Sequence, residues 1–135
     1  MAEKIFVDTS AWIALFVKND KYHSKAISLF KNIQKTSSFL YTSDYVVDET
    51  VTTIRMKSNH QQSLIALESI LDSHMTSLIY INPDYFMKTT QLYQKYKEHT
   101  FSFTDISSFI ICQHLRIKDV FSFDEDFRIA GFNLL

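Results

Sequence analysis

Short apolar runs that each stop at a polar, helix-capping stretch recur along this chain, and that alternation constrains the fold more than any other feature. Lys4 to Val7 is such a run, ending abruptly at Asp8. Asp8-Thr9-Ser10 offers capping side chains, and Ala11 to Phe16 then reads as a buried helix. A second helix from about Tyr22 sets Ala26, Ile27, Phe30 and Ile33 on one stripe. Phe39 to Thr42 is the next strand, and Ser43-Asp44 caps a third helix reaching about Lys57. Asn59 opens a fourth helix through Leu64, Leu67 and Leu71. Leu78 to Ile81 is a strand stopped by Asn82-Pro83, a cap followed by proline at the first helical position, and that fifth helix runs to about Glu98. Thr104 begins a sixth helix, Val120 to Phe123 is a strand, and Phe132 to Leu135 is a last one. Strands alternating with helices imply βα units and a mostly parallel sheet covered on both faces. The expected fold is a three-layer α/β/α sandwich, with residues 1–135 forming one domain.

Composition narrows the function. With one glycine and one proline, the chain cannot build a glycine-rich phosphate loop, a low-complexity linker or a collagen-like repeat. Fourteen Lys and Arg against fifteen Asp and Glu leave a net charge of -1, which excludes coating nucleic acid by overall basicity but leaves local sites open. The single cysteine, Cys112, can form neither an internal disulfide nor a zinc site by itself, so a reducing, cytoplasmic setting is expected. The apolar run from Ala11 to Val17 is too short to cross a membrane and lacks the basic leader of a signal peptide.

In open parallel sheets, ligands bind beyond the carboxyl ends of the strands. Asp8 directly follows the first strand, Asp105 lies in the first turn of the helix from Thr104, and Asp124, Glu125 and Asp126 follow the strand ending at Phe123. Glu49 and Asp48 compete for a fourth place on the third helix. Helical spacing groups Val47, Val51 and Ile54 as the core face and leaves Asp48 beside Asp44 and Arg55 on a solvated strip. Glu49 shares a semi-apolar side with Tyr45, Thr52, Thr53 and Met56, where a lone carboxylate needs compensation. Helical side chains lean toward the N-terminus, so Glu49 points to the strand edge and is preferred. Taken singly, Asp8 is an ordinary helix cap, Asp105 complements a helix N-terminus, and the Phe123–Phe127 run is a solvated turn. Together at one edge these carboxylates repel one another, and Mg²⁺ or Mn²⁺ is the usual partner of such a group.

Four stretches, in order, carry a family resemblance. Ile5-Phe6-Val7-Asp8-Thr9-Ser10-Ala11-Trp12-Ile13-Ala14-Leu15 resembles the opening motif of the PIN-domain ribonucleases. Thr42-Ser43-Asp44-Tyr45-Val46-Val47-Asp48-Glu49 resembles their second motif, and Phe103-Thr104-Asp105-Ile106-Ser107-Ser108 their third. Ser122-Phe123-Asp124-Glu125-Asp126-Phe127, followed by Gly131-Phe132, is similar to their closing pattern, with serine at a position usually held by threonine. Length and composition are most similar to the toxin subunits of VapBC-type toxin–antitoxin pairs. The resemblance implies a PIN-like fold and an acidic metal site of Asp8, Glu49, Asp105 and Asp124. Asp126 is the alternative fourth acid; Asp124 is favoured as nearer the strand end.

The implied reaction is Mg²⁺- or Mn²⁺-assisted hydrolysis of RNA phosphodiester bonds. None of the five histidines falls in the four motifs, and Cys112 reads as core. Lys18, Lys21, Lys25, Lys31 and Lys35 form either a solvated helix face or a phosphate-tracking patch. Trp12, Phe16, Tyr22 and Phe30 exceed what a small core needs and suggest an interface; the resemblance implies a homodimer and a cognate antitoxin. Two other classes compete. A phosphohydrolase of the haloacid dehalogenase type would carry an Asp-x-Asp pair after the first strand, where this chain has Asp8-Thr9-Ser10. A non-catalytic PIN-like binding module would tend to lose the acids.

Overall fold

A computed structural model describes residues 3–135. The elements are β1 (Lys4–Val7), α1 (Thr9–Phe16), α2 (His23–Lys35), β2 (Phe39–Ser43), α3 (Asp44–Lys57), α4 (His60–Asp72), β3 (Thr76–Ile79), α5 (Pro83–Lys95), α6 (Phe103–Leu115), β4 (Asp119–Phe121), α7 (Asp126–Ile129) and β5 (Asn133–Leu134). All pairings are parallel, in the order β3-β2-β1-β4-β5. The chain therefore builds one half of the sheet outward from β1, then returns past it to lay β4 on the other side. The strand order reverses between β1 and β4, and in open parallel sheets a crevice forms at that switch point. Helices α1 to α4 pack on one another, while α5, α6 and α7 form a second group, giving the expected α/β/α layering.

The caps work as the sequence implies. Ser43 Oγ accepts from Val46 N at 3.1 Å, Asn59 Oδ1 from Gln62 N at 2.8 Å, and Asn82 Oδ1 from Tyr85 N at 2.8 Å with Pro83 at the first helical position. Four fully buried phenylalanines, Phe6, Phe109, Phe121 and Phe127, dominate the core. Phe109 meets Phe101 and Phe127 edge-on at ring separations of 5.1 and 5.2 Å, which ties α6 to the segment after β4.

Several boundaries differ from the sequence reading. β3 spans Thr76–Ile79 rather than 78–81, because the backbone N–H of Ile81 turns to Asp44 Oδ1 at 2.9 Å instead of a neighbouring strand. β4 ends at Phe121 rather than Phe123, since the Phe123 and Asp124 N–H groups bond to Ser10 Oγ and Ser122 Oγ. α5 stops at Lys95, short of Glu98. The stretch 123–127, which taken singly reads as a solvated turn, contains the start of the short helix α7, held by the wholly buried Phe127. On α3 the buried face is Val46, Thr50 and Ile54; Val47 and Val51 are only partly covered. Trp12, counted as surplus apolar surface, is core: it is 3% exposed and its indole N–H donates to Thr42 Oγ1. Cys112 is buried as expected. No helix among the described residues is long and apolar enough to cross a membrane.

Candidate acidic metal site

The carboxyl ends of β1 and β4 bring the sequence-predicted acids together. One cavity of about 420 Å³ is lined by Asp8, Glu49, Asp105 and Asp124, and by Asp126 as well. Asp8 sits at the N-cap of α1, and its backbone N–H continues the β1–β4 ladder to Phe121 O at 3.0 Å. Its side chain caps nothing. Oδ2 instead accepts from Ser122 Oγ at 3.0 Å and Ser10 Oγ at 3.3 Å, and those hydroxyls lie 3.1 Å apart. Two serines from opposite ends of the chain thus clamp one carboxylate oxygen, while each also takes a backbone N–H from the segment leaving β4.

Asp105 is the third residue of α6 and completes a reciprocal capping box with Ser102, at 2.9 and 3.1 Å. The capping reading of Asp105 is therefore correct, and the same carboxylate faces the cavity. Asp105, Asp124 and Asp126 each offer an oxygen within 4.8 Å of the other two. Asp124 Oδ1 accepts the N–H of Asp126, the first residue of α7, at 2.9 Å. Glu49 is exposed at the rim, where its cavity adjoins a second one of about 410 Å³ lined by Tyr45, Asp48, Glu49, Thr52, Thr53 and Thr104. Asp48 lines only the second.

Electrostatically the group repels itself. Burial, and next the charge of Asp105, pushes the Asp8 carboxyl up to about 7. Burial pushes Asp105 up to about 6, with Asp124 adding to the rise. Asp126 is raised too, by burial and then by Asp124, with His99 opposing. No lysine or arginine lines the cavity, and the ion pairs among the described residues, Lys88–Asp84 and Arg128–Glu125, lie elsewhere. A buried cluster of carboxylates without a cation is costly, and an oxygen-only donor set of this kind suits a hard divalent ion. The residues present fit such an ion.

Ser10, Thr53, Thr100, Ser102 and His99 were not singled out from sequence as parts of this site. Thr53 was legible, being one helical turn beyond Glu49, whereas Thr100 and His99 sit in an irregular loop without a periodic signal. The lysine cluster divides. Lys18 and Lys21 precede α2 and Lys25 lies in its first turn, on the stretch whose Tyr22 stacks on Phe123, while Lys31 and Lys35 lie in the last turns of α2, toward the start of β2.

Two Mycobacterium tuberculosis proteins, from the CDC 1551 and H37Rv strains and each named 23S rRNA-specific endonuclease VapC20, are 30% identical to this chain over 128 residues, 95% of either length. The crystal structure of Mycobacterium tuberculosis VapC20, described as a sarcin-ricin loop cleaving toxin, matches with a TM-score of 0.87 at 29% identity, again over 95% of both chains. VapBC2 from Rickettsia felis, solved with a DNA fragment from its promoter, shares the fold at a TM-score of 0.68 and 12% identity, over 98% of this chain and 97% of that one. The PIN domain pattern matches residues 5–133, and the chain belongs to the PIN domain family.

Proposed function

We propose that this chain is a Mg²⁺- or Mn²⁺-dependent endoribonuclease, the toxin of a toxin–antitoxin pair, and that a structured loop of ribosomal RNA is its substrate class. The observation that carries the reading is the convergence of Asp8, Glu49, Asp105 and Asp124 on one cavity with no cationic side chain. PIN-domain nucleases work with divalent metal, and the VapC20 relatives are named as rRNA endonucleases, which supports the substrate class. Asp8, Asp105 and Asp124 would hold the ion, with Glu49 at the rim binding it directly or through water. A bound divalent ion supplies an activated water and neutralises charge on the phosphate.

The chain's own groups prepare that chemistry. Ser10 and Ser122 fix Asp8 Oδ2, so the carboxylate is oriented before any ion arrives. The Ser102 box fixes Asp105 in the same way. Thr9, Thr53 and Thr100 line the cavity with the carboxylates, between the two groups of helices. A homodimer and an antitoxin are the partners this reading brings with it. Incubation with a ribosomal stem-loop RNA and with a small phosphoester, each with Mg²⁺ and with chelator, tests it. The reading expects metal-dependent cuts in the RNA alone. Turnover of the phosphoester without RNA cleavage would overturn it in favour of a phosphohydrolase.

A further inference from the structure

The residue before Asp124 belongs to an aromatic column that lies outside the lining of the acidic cavity and that nothing in the hydrolytic chemistry requires. Phe123 follows β4 and directly precedes Asp124, and its backbone N–H is held by Ser10 Oγ at 2.9 Å. Its ring meets the core ring of Phe121 edge-on at 6.1 Å and lies parallel to Tyr22, with centroids 4.5 Å apart and planes within 1°. Tyr22 is 37% exposed, at the N-cap of α2. Its backbone is pinned on both sides: Tyr22 N donates to Asp20 Oδ1 at 2.9 Å, and Tyr22 O accepts the first helical bond from Ala26. The column ends in Lys21, whose Nζ lies 5.0 Å from the Tyr22 centroid. Lys18 and Lys25 are exposed on the same stretch.

A rigid exposed ring with lysines around it, mounted on the residue before a metal-binding aspartate, is the arrangement that single-stranded nucleic acid uses: a π-face for a base and cations for the flanking phosphates. We propose that Tyr22 is a stacking platform for an unpaired base next to the scissile phosphate, with Lys21 leaving the ring to meet the backbone. This rests on the ribonuclease reading above and adds to it the residues that hold the substrate. RNA is favoured over a protein segment because the surround is cationic while the ring is singly exposed, not part of an apolar groove.

The test uses the full chain and a short single-stranded RNA carrying a fluorescent purine analogue at successive positions, with Kd, KM and kcat measured for each variant. Tyr22→Leu fills the space without a π-face. It should weaken Kd and raise KM by about tenfold, with less effect on kcat, and abolish quenching of the analogue at one position. Tyr22→Phe should recover most of the lost affinity. Lys21→Ala should lower the salt dependence of binding by about one charge. If Tyr22→Leu lowers Tm but leaves Kd and quenching unchanged, the column is structural and the platform is overturned. Unchanged RNA affinity with lost binding of a co-expressed antitoxin overturns it in favour of a protein partner. Wild-type protein that neither cuts nor binds RNA overturns the ribonuclease reading as well, whereas wild-type cleavage with an indifferent Tyr22→Leu overturns the platform alone.

Discussion

Asp8→Asn separates what the acidic group costs the fold from what it contributes to catalysis. Asp8 is 3% exposed, and its carboxyl is pushed from 3.8 up to about 7, first by burial and then by the charge of Asp105. The folded protein thus binds this proton more tightly than the unfolded chain does. Without metal, stability is fully retained below about pH 4, falls as pH rises between about 4 and 7, and is then lower by about 4 kcal/mol, at about 1.4 kcal/mol per pH unit. Asparagine removes that charge and can still accept from Ser10 and Ser122, but its buried amide N–H₂ needs partners, which offsets about 1–3 kcal/mol of the gain. The metal-free variant should melt about 5–10 °C above wild type at pH 7.5–8 and show a flatter pH profile. Saturating Mn²⁺ should stabilise wild type more than the variant and close the gap. RNA cleavage by the variant should fall by more than about a hundredfold. Differential scanning fluorimetry with and without Mn²⁺, beside a cleavage assay, reads all three quantities. A metal-free variant that melts below wild type at neutral pH would refute the electrostatic argument.

Lowering the pH from 8 to 6 protonates Asp8, at about 7, and brings Asp105, at about 6, to its midpoint, so the half-saturating Mg²⁺ concentration for cleavage should rise by more than about tenfold; a flat requirement would contradict the ligand assignment. Ser122→Ala removes a donor to Asp8 Oδ2 and the acceptor of the Asp124 N–H, and should cost about 10–100-fold in activity but only about 1 kcal/mol in stability, with Ser122→Thr close to wild type. Asp124→Ala should impair Mg²⁺-dependent cleavage more than Asp126→Ala, because both face the cavity but Asp124 Oδ1 also holds the Asp126 N–H, so its loss disturbs both carboxylates; metal titration of the two variants decides, and an equal or greater loss at Asp126 would make that residue the fourth ligand.

Strands β1 and β2 and the caps of α3, α4 and α5 were legible because each depends on a few adjacent residues: an apolar run, or a serine or asparagine before a periodic stretch. What escaped depends on contacts distant in sequence. The shift of β3 comes from Asp44 capturing Ile81 N, and the early end of β4 from Ser10 reaching across to Phe123. Helix α7 is four residues long, too short for periodicity to mark, and is held by Phe127 packing on Phe109. The core face of α3 was misread by one position because Thr50, a hydroxyl-bearing residue, is buried where an apolar one was expected. The corrected face still leaves Glu49 among the residues that line the cavity. For the acids, strand ends and parallel-sheet topology sufficed to anticipate their meeting, but the two-serine clamp on Asp8 joins residues 112 apart and became visible only in three dimensions.

Anomalous diffraction from crystals grown in Mn²⁺ locates the ion itself. One strong peak is expected in the cavity at the ends of β1 and β4, about 2.2 Å from oxygens of Asp8, Asp105 and Asp124, and it should be lost in Asp105→Asn. An RNA-cleaving protein whose manganese peak lies away from these carboxylates, or is absent at saturating Mn²⁺, would contradict the metal-site assignment.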